Sequence, residues 1–160
     1  MIHKQTIYVS QLRAADLVLE KLRRALAPEF LGLVSTSGHT LSVTVIPECL
    51  DPDVFASLAA SSFAATSQLA RVMNETAFTV MFQEGNNLNV HIAQVLENIL
   101  LVVCFQKSTQ IGKVRLITAH AAKPLAQALG QPGVQAENLD GSSGEGSDDV
   151  PDELMKAQGE

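Results

Sequence analysis

The sequence predicts an α/β (α+β) domain built on a five-stranded antiparallel sheet, with its elements in the order α-β-β-α-β-β-β-α. Three observations support this prediction. Apolar residues recur at helical spacing in three segments, and five shorter segments are apolar either continuously or at every second residue. Short turn sequences join the two strands before the middle helix and the three strands after it. Such turns connect antiparallel neighbours, because a parallel pair needs a much longer crossover.

The first half of the chain is predicted to contain a helix, a hairpin and a second helix. Apolar side chains three and four residues apart indicate the first helix over about residues 10–27, and Pro28 ends that pattern. Residues 30–35 and 41–45 flank a Thr-Ser-Gly-His turn and form the hairpin. The second helix is expected over residues 51–74, because it opens with an aspartate that can cap the first turn and a proline suited to the first helical position.

The second half is predicted to contain three strands and a final helix. The last of these strands is apolar on both faces, which favours a central position in the sheet. Ser108 or Thr109 can cap the final helix, and Pro124 is expected to kink it or to end it near Ala122. The first and last helices should lie on one face of the sheet and the middle helix on the other. The three strands are expected at residues 78–84, 88–95 and 99–105.

Charge and composition divide the chain into a globular part, residues 1–130, and a tail. Residues 131–149 are rich in Gly, Ser and acids and are expected to form a flexible linker. From Ala136 onward there are eight acids against Lys156, so this end has a net charge of −7. The whole chain has a net charge of −6. Residues 150–160 are expected either to stay solvated or to form a short helix that contacts a partner. The contact residues would be Val150, Leu154 and Met155.

Several classes of protein are unlikely on these grounds. The globular part has a formal charge of +1, which does not favour nucleic-acid binding. The longest apolar run, residues 99–105, is too short to form an integral membrane segment, and the N-terminus does not resemble a secretory signal. We therefore expect a cytoplasmic protein.

The sequence gives no support for an enzyme. Its four histidines are scattered, and it has neither a nucleophile elbow nor a phosphate-binding glycine loop. Most of its carboxylates lie in the tail, away from any potential acid/base pair in the core. We expect no catalytic residue, no metal site and no cofactor.

The middle helix is unusually rich in small residues, so another backbone could approach it closely. Leu58, Leu69 and Met73 could face the sheet, which would leave an opposite face with an exposed phenylalanine. Apolar patches on an outer face usually mark association sites. The alternative is that the helix is thin only because it packs tightly on its own sheet. The predicted partner-binding residues are Ala60, Phe63, Ala64, Ser67 and Arg71.

Three segments resemble parts of the Roadblock (dynein light chain type) domain family: LDPDVFASLAASSFAATSQLARVMNE, FQEGNNLNVHIAQVLENILLVVCF and STQIGKVRL. The resemblance covers about residues 8–129 and is closest to the bacterial MglB branch. It implies a Roadblock/longin/profilin-like fold that forms a homodimer, or a higher oligomer, through the middle helix and third strand. This pairing removes an exposed sheet edge. The interface would include Ala56, Ala59, Thr79, Val80, Met81, Phe82 and Gln83.

The same resemblance implies a function. Members of this branch regulate a Ras-like small GTPase of the MglA type in cell polarity or motility, and a location near a cell pole would come through such partners. Activation is expected without an arginine finger, so Arg71 would be a contact and not a catalyst. The alternative is a structural adaptor, like the dynein-associated light chains, that has no effect on nucleotide turnover.

Overall fold

The structure, a computed structural model, describes residues 7–130. The predicted linker (131–149) and tail (150–160) lie outside this range, as do the contacts expected of Val150, Leu154 and Met155. The observed order of elements is the predicted one. The elements are α1 (Val9–Leu26), β1 (Phe30–Ser35), β2 (Thr40–Val45), α2 (Pro52–Val72), β3 (Val80–Glu84), β4 (Leu88–Leu96), β5 (Ile99–Gln106) and α3 (Ile111–Gly130).

The five strands form one antiparallel sheet in the order β2-β1-β5-β4-β3. β5 pairs with β1 on one side and with β4 on the other, and every residue from Ile99 to Phe105 is buried. The predicted central position of this strand is therefore confirmed. β2 and β3 form the two edges of the sheet.

The helices cover the sheet from both sides, as predicted. α1 and α3 pack together on one face, where Leu19, Leu101 and Leu125 belong to the larger core. α2 lies alone on the other face over a smaller core that includes Phe30, Ile92 and Val102. This confirms the predicted α+β fold class and leaves the outer side of α2 uncovered by any other described element.

Two local features differ from the sequence prediction. β3 begins at Val80 and not at residue 78, although the Thr79 carbonyl already accepts a hydrogen bond from the Gln94 amide at 2.8 Å. α3 continues through Pro124 to Gly130, so the expected end near Ala122 is wrong. The proline leaves one backbone carbonyl without its usual donor, but burial of Leu125 and Leu129 in the larger core holds the last turns in place.

The orientation of α2 is the opposite of the predicted one. Ala60 and Phe63 are only 5% and 3% exposed and face the sheet, whereas Leu58 and Leu69 are 63% and 53% exposed. Small residues at the helix–sheet contact let the helix lie close to the strands, so that the Phe63 ring can fill the smaller core. The alternative reading of the small residues, tight packing on the helix's own sheet, is therefore the correct one for this side.

A buried histidine joins β4 to α3. His91 is 1% exposed, and its Nε2 lies 3.0 Å from Thr118 Oγ1. The Thr118 hydroxyl donates to the Val114 carbonyl at 2.8 Å, so the hydroxyl oxygen accepts from Nε2–H. Nδ1 is buried without a hydrogen-bond partner among the described residues. Burial and the nearby Arg115 charge lower the pKa of His91.

This histidine should make stability depend on pH. Since the folded-state pKa lies below the unfolded value of about 6.5, the unfolded chain binds more protons as the pH falls, and the free energy of unfolding decreases from about pH 7 downward. His91→Gln keeps a donor for Thr118 but does not titrate. We expect the melting temperature of the unmodified protein to fall more between about pH 7.5 and pH 5.5 than that of His91→Gln. Equal slopes would show that His91 does not control this dependence.

Candidate interaction surface

The outer side of α2 carries an apolar stripe. Val54, Leu58, Leu69 and Val72 are 57%, 63%, 53% and 85% exposed. Together with the small residues at positions 61 and 65 they recur three and four residues apart, which places them on one face of the helix. We call these four large residues the α2 stripe. Exposed large apolar side chains along one helical face indicate an association site.

The start of α2 is fixed by local chemistry. Asp51 Oδ1 accepts hydrogen bonds from the amides of Asp53 and Val54, at 2.9 and 3.3 Å, and Pro52 occupies the first helical position. The predicted helix start is confirmed. The cap also fixes the point from which the stripe begins.

The far half of α2 lies beside the sheet edge at β3. Thr66 Oγ1 is 3.1 Å from Met81 Sδ, which ties the middle of the helix to this strand. β3 pairs only with β4 in the described chain, so its outer row of backbone donors and acceptors is open. Edge strands of this kind are templates for pairing with another strand. α2 therefore contacts the edge strand at Thr66.

The opposite face of β3 is also partly uncovered. Phe82 is 36% exposed and its ring stacks against Phe105, with centroids 6.4 Å apart. A depression of about 280 Å³ opens beside it, toward the start of α3. Lys107 Nζ and Glu84 Oε1 form an ion pair of 3.0 Å at this depression. Its small size and exposed ion pair do not define a ligand site.

The five predicted partner-binding residues do not share an exposed face. Ala60 and Phe63 are buried, and Ser67 is half-buried with its hydroxyl donating to the Phe63 carbonyl at 3.2 Å. Only Ala64 and Arg71 are exposed. The premise of an outward-facing phenylalanine is thus wrong, because the small residues belong to the helix–sheet contact.

The predicted dimer-interface residues divide in the same way. Ala56 and Ala59 are buried against their own sheet and offer no surface to a second chain. The strand residues lie together along the free edge: Thr79, Val80, Phe82 and Gln83 are exposed and Met81 is half-buried. Their pairing with another copy stays a prediction.

The α2 stripe was missed by sequence reasoning. Its signal was available, since positions 54, 58, 69 and 72 share one helical face. The larger side chains were assigned to the core because of their size. Because the helix lies close to the sheet, small side chains occupy most of the buried face, and these larger side chains lie on the exposed face.

Two negative findings apply to residues 7–130. No group of three or more His, Cys, Asp or Glu side chains is placed to hold a metal ion. Within the same range, none of the helices combines the length and apolar character needed to span a bilayer.

Comparison with solved structures defines the class of the domain. The fold matches the Roadblock/LC7 domain from Streptomyces avermitilis with a TM-score of 0.63, 16% identity, and coverage of 70% of this chain and 94% of that one. At this identity the match concerns the fold. The domain thus has a Roadblock-type fold.

Within this class the chain is similar to MglB. Myxococcus xanthus MglB matches at a TM-score of 0.68 and 28% identity, over 71% of this chain and 92% of that one. A structure described as MglB with tetrameric arrangement matches at 0.73 and 28%, over 79% and 96%. No protein-family model matches the sequence, and a search of curated proteins gave no significant match. The suspected resemblance to the MglB branch is confirmed by the structures.

Proposed function

We propose that this protein is a homodimeric regulator of a small Ras-like GTPase of the MglA type. The observation that carries the proposal is the α2 stripe beside the free edge of β3, a surface suited to binding protein and not to catalysis. Likeness to MglB supports the assignment to a GTPase system. The tetrameric arrangement of one similar MglB supports self-association.

The two ends of the stripe have different proposed roles, one in dimerisation and the other in GTPase binding. Leu69 and Val72 lie on the half of α2 that follows Thr66 and its contact with β3. Pairing of two β3 edges would bring these residues of both copies together and join two sheets into one of ten strands. Val54 and Leu58 lie on the half farther from that edge and remain free for the GTPase.

The proposed activation does not require a catalytic residue from this chain. A regulator that binds the hydrolysis-competent conformation more tightly than other conformations raises its population. Arg71 is exposed near the end of α2, and its guanidinium lies 3.5 Å from Gln68 Oε1. It is placed to contact a partner, and we do not assign it the role of an arginine finger. A role in polarity or motility, in the cytoplasm near a cell pole, completes the proposal.

The test measures GTP hydrolysis by an MglA-type GTPase with and without this protein. We expect a several-fold increase, which Leu58→Asp should remove because a charge replaces an apolar contact. Leu17→Asp is the matched control: Leu17 is 70% exposed on α1, on the other face of the sheet, and this variant should keep the increase. No stimulation by the unmodified protein would refute activation.

Arg71→Ala separates a contact from a catalytic arginine. We expect this variant to keep part of the stimulation, with a weaker affinity for the GTPase. A loss of about 10³-fold or more in the maximal rate, as for removal of a supplied arginine, would contradict the proposed mechanism. Binding of the GTPase without any effect on hydrolysis would instead identify an adaptor.

A further inference from the structure

Charge is sharply separated between the two sides of the described domain. α1 and α3 together carry seven Lys or Arg side chains and two carboxylates, a net charge of +5. The rest of residues 7–130 carries seven carboxylates and two basic residues, a net charge of −5. α3 has no acidic residue at all. The near-neutral total of the domain therefore hides one strongly basic layer.

The basic side chains of this layer are available to a partner. All seven are exposed: Arg13, Lys21, Arg23, Arg24, Lys113, Arg115 and Lys123. We call this set the basic face. Arg23 and Arg24 share the Glu20 carboxylate. Because both guanidinium groups donate hydrogen bonds to it, the pKa of Glu20 is lowered to about 2. The ion pairs found among the described residues involve none of the other five basic residues.

We propose that the acidic segment after α3, residues 136–160, lies on the basic face of its own chain. The segment carries eight acids and one lysine, a net charge of −7, which complements the +5 of α1 and α3. The side of α2 is unfavourable for it, since acids flank both ends of that helix: Glu48, Asp51, Asp53 and Glu75. This inference does not depend on the proposed GTPase partner.

The length of the chain fits this placement. α3 ends at Gly130, so the segment leaves the domain from the basic layer itself. Along the helix, Lys123 and Lys113 lie about 10 and 26 Å from that end. A Gly/Ser-rich coil of the length from residue 131 to 148 has a root-mean-square span of about 21–25 Å. Such a tether holds the acids at an effective concentration on the order of millimolar near the basic face.

Docking of this kind would protect the basic face. An anionic ligand would have to displace the segment, and a partner that binds residues 150–160 would expose the face. Because the attraction is between solvated charges, it should weaken as salt is added.

Paramagnetic relaxation enhancement in the full-length chain tests the proposal. A spin label is attached at Ser147→Cys in a Cys49→Ser background; Cys49 is the exposed native thiol, and Cys104 is buried. At about 50 mM salt we expect broadening of α3 amides near Lys113 and Lys123 but not of α2 amides near Leu58. At about 500 mM salt the broadening should fall several-fold.

The matched control keeps the segment's length and lowers its net charge from −7 to −3. Asp140, Glu145, Asp148 and Asp149 are replaced by Asn or Gln, and the broadening along α3 should again fall several-fold. Equal broadening in the unmodified chain and in the chain with four acids replaced would reflect the tether alone and overturn the proposal. So would broadening on α2, or none on either face. Binding of the unmodified protein to phosphatidylserine vesicles, with the segment off the basic face, would assign that face to a lipid surface and would also overturn it.

Discussion

Replacement of Phe63 by alanine is expected to lower the free energy of unfolding by about 3–5 kcal/mol. The ring is 3% exposed and lies in the smaller core with Phe30 and Ile92, between α2 and the sheet. Since α2 covers this face alone, no second helix can close the cavity. Urea denaturation followed by circular dichroism would measure the loss.

The control for this substitution lies on the same helix. Leu58→Ala removes a side chain of similar apolar character that is 63% exposed, and we expect it to change stability by less than about 0.5 kcal/mol. A larger cost for Leu58→Ala than for Phe63→Ala would show that α2 is rotated relative to the described orientation. The comparison also means that Phe63→Asp cannot be used to probe an interface, because it would unfold the domain.

The double substitution Leu69→Asp/Val72→Asp is expected to convert the proposed dimer into a monomer. Both side chains are exposed in the single chain, at 53% and 85%, so the fold should tolerate the change. In a paired state they would be buried, and an unpaired carboxylate in an apolar interface costs several kcal/mol. We expect dimerisation to weaken by at least about a hundredfold, measured by sedimentation over a range of concentrations.

A control for the double variant is available on the other layer. Val9 on α1 is 68% exposed, and Val9→Asp should leave the dimer intact. If the double variant remained dimeric, self-association would have to use another surface, such as the second sheet edge at β2. The α2 stripe would then be free along its whole length.

Much of the fold could be predicted from local patterns. The apolar run from Ile99 to Phe105 determines a central strand, because only a strand covered on both faces buries such a sequence. Asp51 and Pro52 determine the start of α2 through backbone hydrogen bonds that involve neighbouring residues only. The effect of Pro124 was not predictable in this way, since tertiary burial of Leu125 and Leu129 decides whether the helix continues.

The candidate site was harder to predict because both sides of α2 are apolar. A choice between them depends on how near the helix lies to the sheet, and this distance is set by residues far away in the sequence. Gly38, in the turn between β1 and β2, illustrates the constraint. Its φ of +89° favours glycine, and a side chain there would lie 3.1 Å from Ser57 Cα. The turn between β1 and β2 therefore packs closely against α2 at Ser57.

The separation of charge across the sheet also gives residues 7–130, taken without the acidic segment, an electric dipole moment directed from the side of α2 toward the helices α1 and α3. In a dimer that joins two sheets edge to edge, the α1 and α3 helices of both copies would lie on the same side of the joined sheet. The dipole moments of the two copies would therefore add. When the acidic segment is displaced from the basic face, charged partners approaching within about 8 Å at physiological salt would be turned by this field before they touch the protein. The domain would therefore select the orientation of an encounter through its net field, while the apolar stripe determines whether the encounter lasts.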